Sequence, residues 1–326
     1  MDRAGELLGS LADGRPRSGE ELGKALHVSR AAVWKLVHQL QGQGVPVISE
    51  QGRGYRLARP LELLGEDRIR AGLGADVSQR LIDVRVARVT DSTNRQLFQQ
   101  LSELELPCAL FAEAQSAGRG RRGRTWYSPF GQNLYMSLAW SFDQVPGGVA
   151  GLSLAAGMSV AEVLRAFGLR DVSLKWPNDL VINDQKLGGL LVELQGEPTG
   201  ACAVVIGQGL NLQMDVDDTT RDAIDQPWTA VRDRLPHWPG RNVIASAVLD
   251  GLARAMDQFG RHGFTAFIQR WPDYDALSGR DVRLLLGQRE IHGRACGVDP
   301  TGSLLLDQGQ GPEPWSAGEV SVRPLP

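Results

Sequence analysis

The spacing of apolar residues changes along the chain, and the changes mark its parts. Leu7 to Leu11 predict a short apolar helix, and Ser18-Gly19-Glu20-Glu21-Leu22 offers an N-cap with an acid three residues on, the start of a second. Ser29 repeats that signal. From Arg30 to Gln41, Val33, Leu36, Val37 and Leu40 fall on one helical face and Arg30, Ala31, Trp34, Lys35 and His38 on the other. Two short helices meeting at a tight turn, the second basic on its outer face, is the helix-turn-helix pattern. Val45-Pro46-Val47-Ile48 and Tyr55-Arg56-Leu57, either side of Gln51-Gly52-Arg53-Gly54, then read as a β-hairpin with a basic tip, the wing of a winged helix. Any small helical domain can present the first pattern; the wing is what favours DNA binding over a structural or protein-binding role.

Arg59-Pro60 ends this unit, and Leu61 to Leu73 predict a linker helix. Val84 to Val89 is a strand, after which Asp91-Ser92-Thr93-Asn94 opens a helix through Leu97 and Leu101, as a cap alone or as hydrogen-bonding groups presented at a helix start. Cys108 to Ala112 and the alternating Leu134, Met136, Leu138 and Trp140 predict two core strands, and Gly151 to Phe167 an apolar, buried helix. Val172 to Leu180 is a strand running into a polar turn, Val181 to Leu194 a hairpin and Ala203 to Leu212 another core strand. Asp215 to Asn242 is polar and proline-bearing and reads as a mobile surface loop, with helices following at Val243 to Phe259 and Phe264 to Trp271. From Arg280 the period becomes two, with strands at Val282 to Leu286, Ile291 to Val298 and Ser303 to Leu306, enough for a small barrel.

At 326 residues the chain is too long for one typical core. The formal charge is -3, yet residues 1–60 hold nine Lys/Arg against six Asp/Glu, so the amino-terminal segment alone is basic. Cys108, Cys202 and Cys296 are odd in number, far apart and set in apolar runs, which predicts small buried residues of a reducing compartment and no metal or redox motif. With no signal-peptide pattern and no apolar run of bilayer length, a cytoplasmic protein with no membrane partner is expected.

The chemistry concentrates in Ala117-Gly118-Arg119-Gly120-Arg121-Arg122-Gly123-Arg124-Thr125-Trp126. Its glycines let the backbone turn N–H groups towards a ligand, and its arginines supply forked donors for phosphate or carboxylate. No Gly-Lys-Ser/Thr follows, so it is not a Walker A loop. A solvated Arg/Gly loop or an RNA-binding segment has the same composition, but a charged loop pinned between core strands reads as a site. Lys186, just before Gly188-Gly189 and a core strand, is an unusually constrained lysine, whereas Asn178 and Asp179 read by spacing as turn residues.

Taken in order, Gly118-Arg119-Gly120-Arg121-Arg122-Gly123-Arg124, Lys175-Trp176-Pro177-Asn178-Asp179-Leu180, Lys186-Leu187-Gly188-Gly189 and Gly207-Gln208-Gly209-Leu210-Asn211 resemble the bifunctional biotin protein ligases that double as biotin-operon repressors. The resemblance runs the length of the chain and implies a multidomain α/β protein. Its parts would be a winged helix-turn-helix domain at 1–62, a central α+β ligase domain with a mixed sheet at 63–275, and a small SH3-like β-barrel at 276–326.

The activity it implies is biotin protein ligation. Biotin and MgATP give biotinyl-5′-AMP and pyrophosphate, and the acyl group passes to a lysine of the biotin carboxyl carrier protein of acetyl-CoA carboxylase. Ser92, Thr93, Asn94, Gln115, Arg119, Gly120, Arg121 and Lys186 would bind biotin, with Lys186, Arg121 and Arg119 catalytic. Arg121, Arg122, Lys175, Asn178, Asn211 and Trp228, the last closing over adenine, would bind ATP, with Asp179 serving Mg2+. Ser29, Arg30, Trp34, Lys35, Arg53 and Arg56 would meet operator DNA of biotin synthesis genes, with biotinyl-5′-AMP favouring a homodimer. Trp34 stands where related proteins usually carry a polar residue, which bears on the operator sequence. The competing readings are a ligase with a vestigial DNA-binding domain, a binding-only repressor, and a lipoate ligase, which lacks the winged helix.

Overall fold

A computed structural model describes residues 2–145, 147–197, 201–215, 224, 226–286, 289–316 and 320–324. The chain opens with α1 (Arg3–Leu11), α2 (Gly19–Leu26), α3 (Arg30–Gly42) and the hairpin β1 (Val47–Glu50) and β2 (Gly54–Leu57). Local chemistry sets each boundary. Ser18 and Glu21 form a reciprocal capping box on α2, and Ser29 accepts from Ala32 N at the start of α3. Between the two helices, His27 takes a left-handed conformation, and a Cβ on Gly23 would sit 2.8 Å from Val28 O, so the tight turn requires glycine there. Leu7, Leu11, Leu22, Val33, Val37, Leu40 and Leu57 fill the core beneath.

On the outer face of α3, Trp34 is 52% exposed and lies against His38 in a tilted ring pair with centroids 3.9 Å apart. In the wing, Arg53 and Arg56 both pair with Glu50. Arg56 is folded back, donating also to the carbonyls of Leu57 and Ala58, while Arg53 stays exposed.

The linker helix expected over Leu61 to Leu73 is confined to α4 (Glu66–Ala71). Partners in both domains engage the N–H groups upstream of it. Leu61 N donates to Ala12 O, Leu64 N to Glu113 Oε1 and Gly65 N to Asn242 Oδ1, so these three groups are taken by partners distant in sequence instead of an earlier helical turn. α5 (Ala75–Arg80) follows.

The central unit is one mixed sheet. It contains β3 (Asp83–Thr90), β4 (Cys108–Gln115), β5 (Leu134–Phe142), β6 (Ser173–Lys175), β7 (Asp179–Ile182), β8 (Gln185–Gly196) and β9 (Cys202–Leu210), in the order β3-β4-β5-β9-β8-β7-β6. Only β3 and β4 run parallel, joined by the crossover helix α6 (Thr93–Gln100); the other neighbours are antiparallel. α6 covers one face, and α7 (Leu152–Ala166) and α8 (Arg241–His262) cover the other. Helices on both faces explain why Cys108 to Ala114 are buried without alternation.

Of the segment Asp215 to Asn242, expected as a mobile loop, residues 216–223 and 225 lie outside the described residues. The rest of its course is not loose: Lys186 N donates to Pro227 O and Thr229 N to Lys186 O, and Thr229, Ala230 and Val231 are buried. After α9 (Thr265–Ile268) come β10 (Asp281–Leu286), β11 (Arg289–Val298), β12 (Leu304–Asp307), β13 (Pro312–Trp315) and β14 (Val320–Pro324). They form one antiparallel sheet ordered β13-β12-β11-β10-β14. β13 and β14 escaped the periodicity because each is short and bears proline, which belongs on sheet edges. No pairing between these edges closes the sheet into a barrel among the described residues. Cys108 and Cys202 are buried as expected, but Cys296 is exposed, because its side chain falls on the solvent side of β11.

Candidate functional site

A cleft of about 990 Å3, mouth included, opens where α6, the arginine loop and the glycine-bearing parts of β8 and β9 converge. Its floor is backbone. A Cβ on Gly209 would lie 2.5 Å from the Trp126 ring, and one on Gly207 2.6 Å from Asn94 Oδ1, so only glycine lets these side chains lie against the sheet.

One wall is a chain of polar groups. Ser92 caps α6, which leaves Thr93 and Asn94 on its first turn. Thr93 N and Oγ1 both donate to Gln115 Oε1, at 2.9 and 3.2 Å, and Gln115 Nε2 donates to Ser128 Oγ at 3.1 Å. Ser137 Oγ reaches Thr93 Oγ1 (2.8 Å) and Asn94 Oδ1 (3.1 Å), and Asn94 Nδ2 donates to Glu193 Oε2 at 2.5 Å. Ser92, Thr93, Asn94 and Ser137 are buried, so their fixed geometry gives directional recognition of a polar, uncharged ring.

Opposite stands the cationic wall. The arginine loop is a closed turn: Trp126 N donates to Gly118 O, Gly120 N to Arg124 O, and Arg119 bridges Thr125. Arg122 and Gly123 both sit in the left-handed region, with φ of 58° and 72°. Arg119 Nη1 pairs with Glu193 Oε1 at 3.1 Å, and Arg121 Nη1 donates to Asn178 Oδ1 at 3.3 Å. Burial lowers the pKa of Arg121 from the usual arginine range, with Asp179 opposing and the neighbouring Arg122 and Arg124 adding. Arginine nonetheless keeps its charge at neutral pH. Lys186 Nζ meets Asp179 Oδ1 at 2.9 Å and lies 5.4 Å from the Trp126 ring centroid. This pairing follows from the fold, because a two-residue turn at Asn183-Asp184, both at positive φ, brings β8 back along β7.

Ser92, Thr93, Asn94, Gln115, Arg119, Gly120, Arg121, Arg122, Lys175, Asn178, Asp179 and Lys186 therefore share one cleft. Asn211 and Trp228 do not line it. Asn211 is buried beneath, its amide donating to the carbonyls of Lys186 and Thr229, so it fixes the lysine's backbone from below. Trp228 lines an adjoining hollow with Gln185, Met214 and Arg234, bridged through the backbone to Lys186. Trp238, close to Trp228 in sequence, packs against the core with Arg232 5.5 Å from its ring. Sequence reading missed Glu193, which joins the two walls, and the indole of Trp126; the alternation of β8, which puts Glu193 on the face of α6, was the available signal. It also missed a buried ion pair behind the site, Arg241 with Glu113 at 2.7 Å.

Three family models match: the biotin/lipoate A/B protein ligase family over residues 86–211, an HTH domain over 6–56 and the biotin protein ligase C-terminal domain over 277–323. They define a class, a ligase domain of the biotin/lipoate type set between a helix-turn-helix domain and a biotin-ligase C-terminal domain. The bifunctional ligase/repressor BirA of Salmonella typhimurium is 42% identical over 317 residues, 97% of this chain and 96% of that protein. A biotin--[acetyl-CoA-carboxylase] ligase of Paracoccus denitrificans is 30% identical over 71% of this chain and 97% of its own. The biotin protein ligase of Aquifex aeolicus, solved with biotin and ATP, superposes with a TM-score of 0.64 at 26% identity, covering 75% of this chain and all of that one. The chain belongs to the biotin protein ligases, in the branch that carries a helix-turn-helix domain in front.

Proposed function

We propose that the protein condenses biotin with ATP to biotinyl-5′-AMP with release of pyrophosphate, passes the biotinyl group to a carrier lysine with release of AMP, and represses transcription through its amino-terminal domain. The observation that carries the catalytic half is the convergence of Lys186, Arg121 and Arg119 on a cleft whose other wall is the polar chain from Gln115 to Asn94. Biotin's ureido ring takes the polar wall, which sends its carboxylate towards Lys186. The carboxylate must approach a phosphate of like charge. Lys186 and the arginines offset that repulsion and stabilise the charge that builds on the reacting oxygens. Trp126 and the glycine floor exclude water from the mixed anhydride.

Among the described residues no group of three or more acidic, His or Cys side chains is placed to hold a metal. Asp179, whose Oδ1 is paired with Lys186, would hold through its carboxylate a magnesium ion brought by ATP, and there the ion would offset triphosphate charge. The carrier is a biotin carboxyl carrier protein of a carboxylase, recognised across the cleft mouth. Trp228 closes on adenine from the adjoining hollow. Residues 1–62, 63–275 and 276–326 act as three domains, the last a barrel of the SH3-like kind, in a cytoplasmic protein.

Repression rests on α3 and the wing, with Ser29, Arg30, Trp34, Lys35 and Arg53 facing operator DNA of biotin synthesis genes. One such domain offers few phosphate contacts. A homodimer promoted by the adenylate doubles them and ties DNA affinity to biotin supply. Labelling of an apo carrier domain with biotin and MgATP tests the first half, and a promoter gel shift with and without the two substrates tests the second. Operator affinity that is indifferent to substrates would leave a ligase with a vestigial DNA-binding domain.

A further inference from the structure

Glu193 sits on the α6 side of β8, and its two carboxylate oxygens face different partners. Oε2 accepts from Asn94 Nδ2 at 2.5 Å, and Oε1 pairs with Arg119 Nη1 at 3.1 Å; the side chain is 20% exposed. An ionised carboxylate only accepts hydrogen bonds, so Asn94 must turn its NH2 towards Glu193 and its Oδ1 towards Ser137 Oγ, 3.1 Å away, whose single proton is shared between Asn94 and Thr93. Asn94 is 4% exposed and lies over Gly207, where a Cβ would approach Oδ1 to 2.6 Å, so the amide has little room for any other rotamer.

We propose that Glu193 is a positioning residue with two separable tasks, fixing the amide polarity of Asn94 through Oε2 and tethering Arg119, and with it the arginine loop, through Oε1. The first task sets which donor and acceptor the polar wall offers to biotin's ureido ring. The second links that wall to the loop that carries Arg121 and Arg122, so one carboxylate registers the two halves of the cleft against each other. The inference rests on the biotin reading above.

Two substitutions part the tasks. Glu193→Gln keeps an acceptor for Asn94 and loses the charge that holds Arg119, whereas Glu193→Leu removes both. Biotin affinity is measured by calorimetry on the full-length protein, cleavage within residues 119–124 by subtilisin without added ligand, and melting temperature alongside. Glu193→Gln should speed loop cleavage several-fold and weaken biotin binding by no more than about fivefold, the share that the tether of Arg119 contributes. Glu193→Leu should speed cleavage equally and weaken biotin binding at least about tenfold, because the buried NH2 of Asn94 loses its acceptor. Adding Glu193→Gln to Arg119→Gln should change cleavage no further. Equal losses of affinity in both variants, unchanged affinity in Glu193→Leu, or cleavage unaffected by either would overturn the proposal. A wild-type protein that binds no biotin would overturn the ligase reading itself.

Discussion

Replacing Arg241 by Met tests what holds the linker against the catalytic sheet. Arg241 Nη1 donates to Glu113 Oε2 and to Glu62 O, both at 2.7 Å, and Nη2 donates to Asn133 O at 2.8 Å. Glu113 accepts Leu64 N on its other oxygen, while the carboxylate of Glu62 accepts from Arg241 N and Asn242. The side chains of Arg241 and Glu113 are 5% and 4% exposed, so water does not take over when one is removed. Deleting one partner of such a pair leaves a buried charge and costs ~3–5 kcal/mol. For a domain of this size each kcal/mol lowers the melting point by ~2–4 °C, so the catalytic-domain transition should fall by roughly 6–20 °C. Thermal unfolding followed by circular dichroism gives the number. The double variant Arg241→Met/Glu113→Leu should recover much of the loss, because it removes both charges. Cleavage near residues 59–65 should accelerate in the single variant, since Glu62 and Leu64 belong to the linker. A single variant that melts within about 2 °C of the wild type would refute the argument, because that is the shift expected of a surface position.

Gly209→Val should displace the Trp126 indole from the cleft floor and raise the KM for biotin at least about tenfold while melting shifts little, since the ring lies on the site side of the sheet; unchanged steady-state kinetics would count against it. Burial pushes the Cys108 thiol up to about 11 and raises that of Cys202, so a thiol reagent at mildly alkaline pH should label Cys296 in the native protein and reach the other two only in denaturant. Burial also raises the Asp275 carboxyl above its ordinary 3.8, against the opposing hydrogen bonds from Leu277 and Trp271. A raised folded-state value means that the folded form binds the proton more tightly, so this group adds stability as pH falls towards 3.8 and withholds it above the raised value. The melting temperature of Asp275→Asn minus that of the wild type should therefore become more negative from neutral pH towards acid, and a pH-independent difference would contradict it.

Much of this was legible in the sequence because the responsible interactions are local. The Ser18/Glu21 box, the Ser29 and Ser92 caps and the unbroken apolar run of β4 all act within a few residues of their own positions. What escaped depends on distant partners. The linker at 61–65 is apolar enough for a helix, but the N–H groups of Leu61, Leu64 and Gly65 are held by Ala12, Glu113 and Asn242. Asn211 has the chemistry of a ligand group, yet its amide is used on two carbonyls brought together by the sheet. Arg53 and Arg56 both pair with Glu50 in the wing, a contact that the spacing of residues does not show. Glu193 read as one more polar residue of a strand, and only the pairing of β8 with β9 turns it towards Asn94.

Adenylate formation in a single turnover, with ATP labelled on its α-phosphate, reports most directly on the chemistry assigned to the cleft, because it precedes any carrier or DNA. The wild-type protein mixed with biotin and MgATP should convert label to biotinyl-5′-AMP. Lys186→Ala should slow that conversion by at least ~10²-fold at saturating biotin, the loss expected when a group that stabilises developing charge is removed. No labelled adenylate from the wild type, or an unchanged rate in Lys186→Ala, would contradict the role given to the cleft.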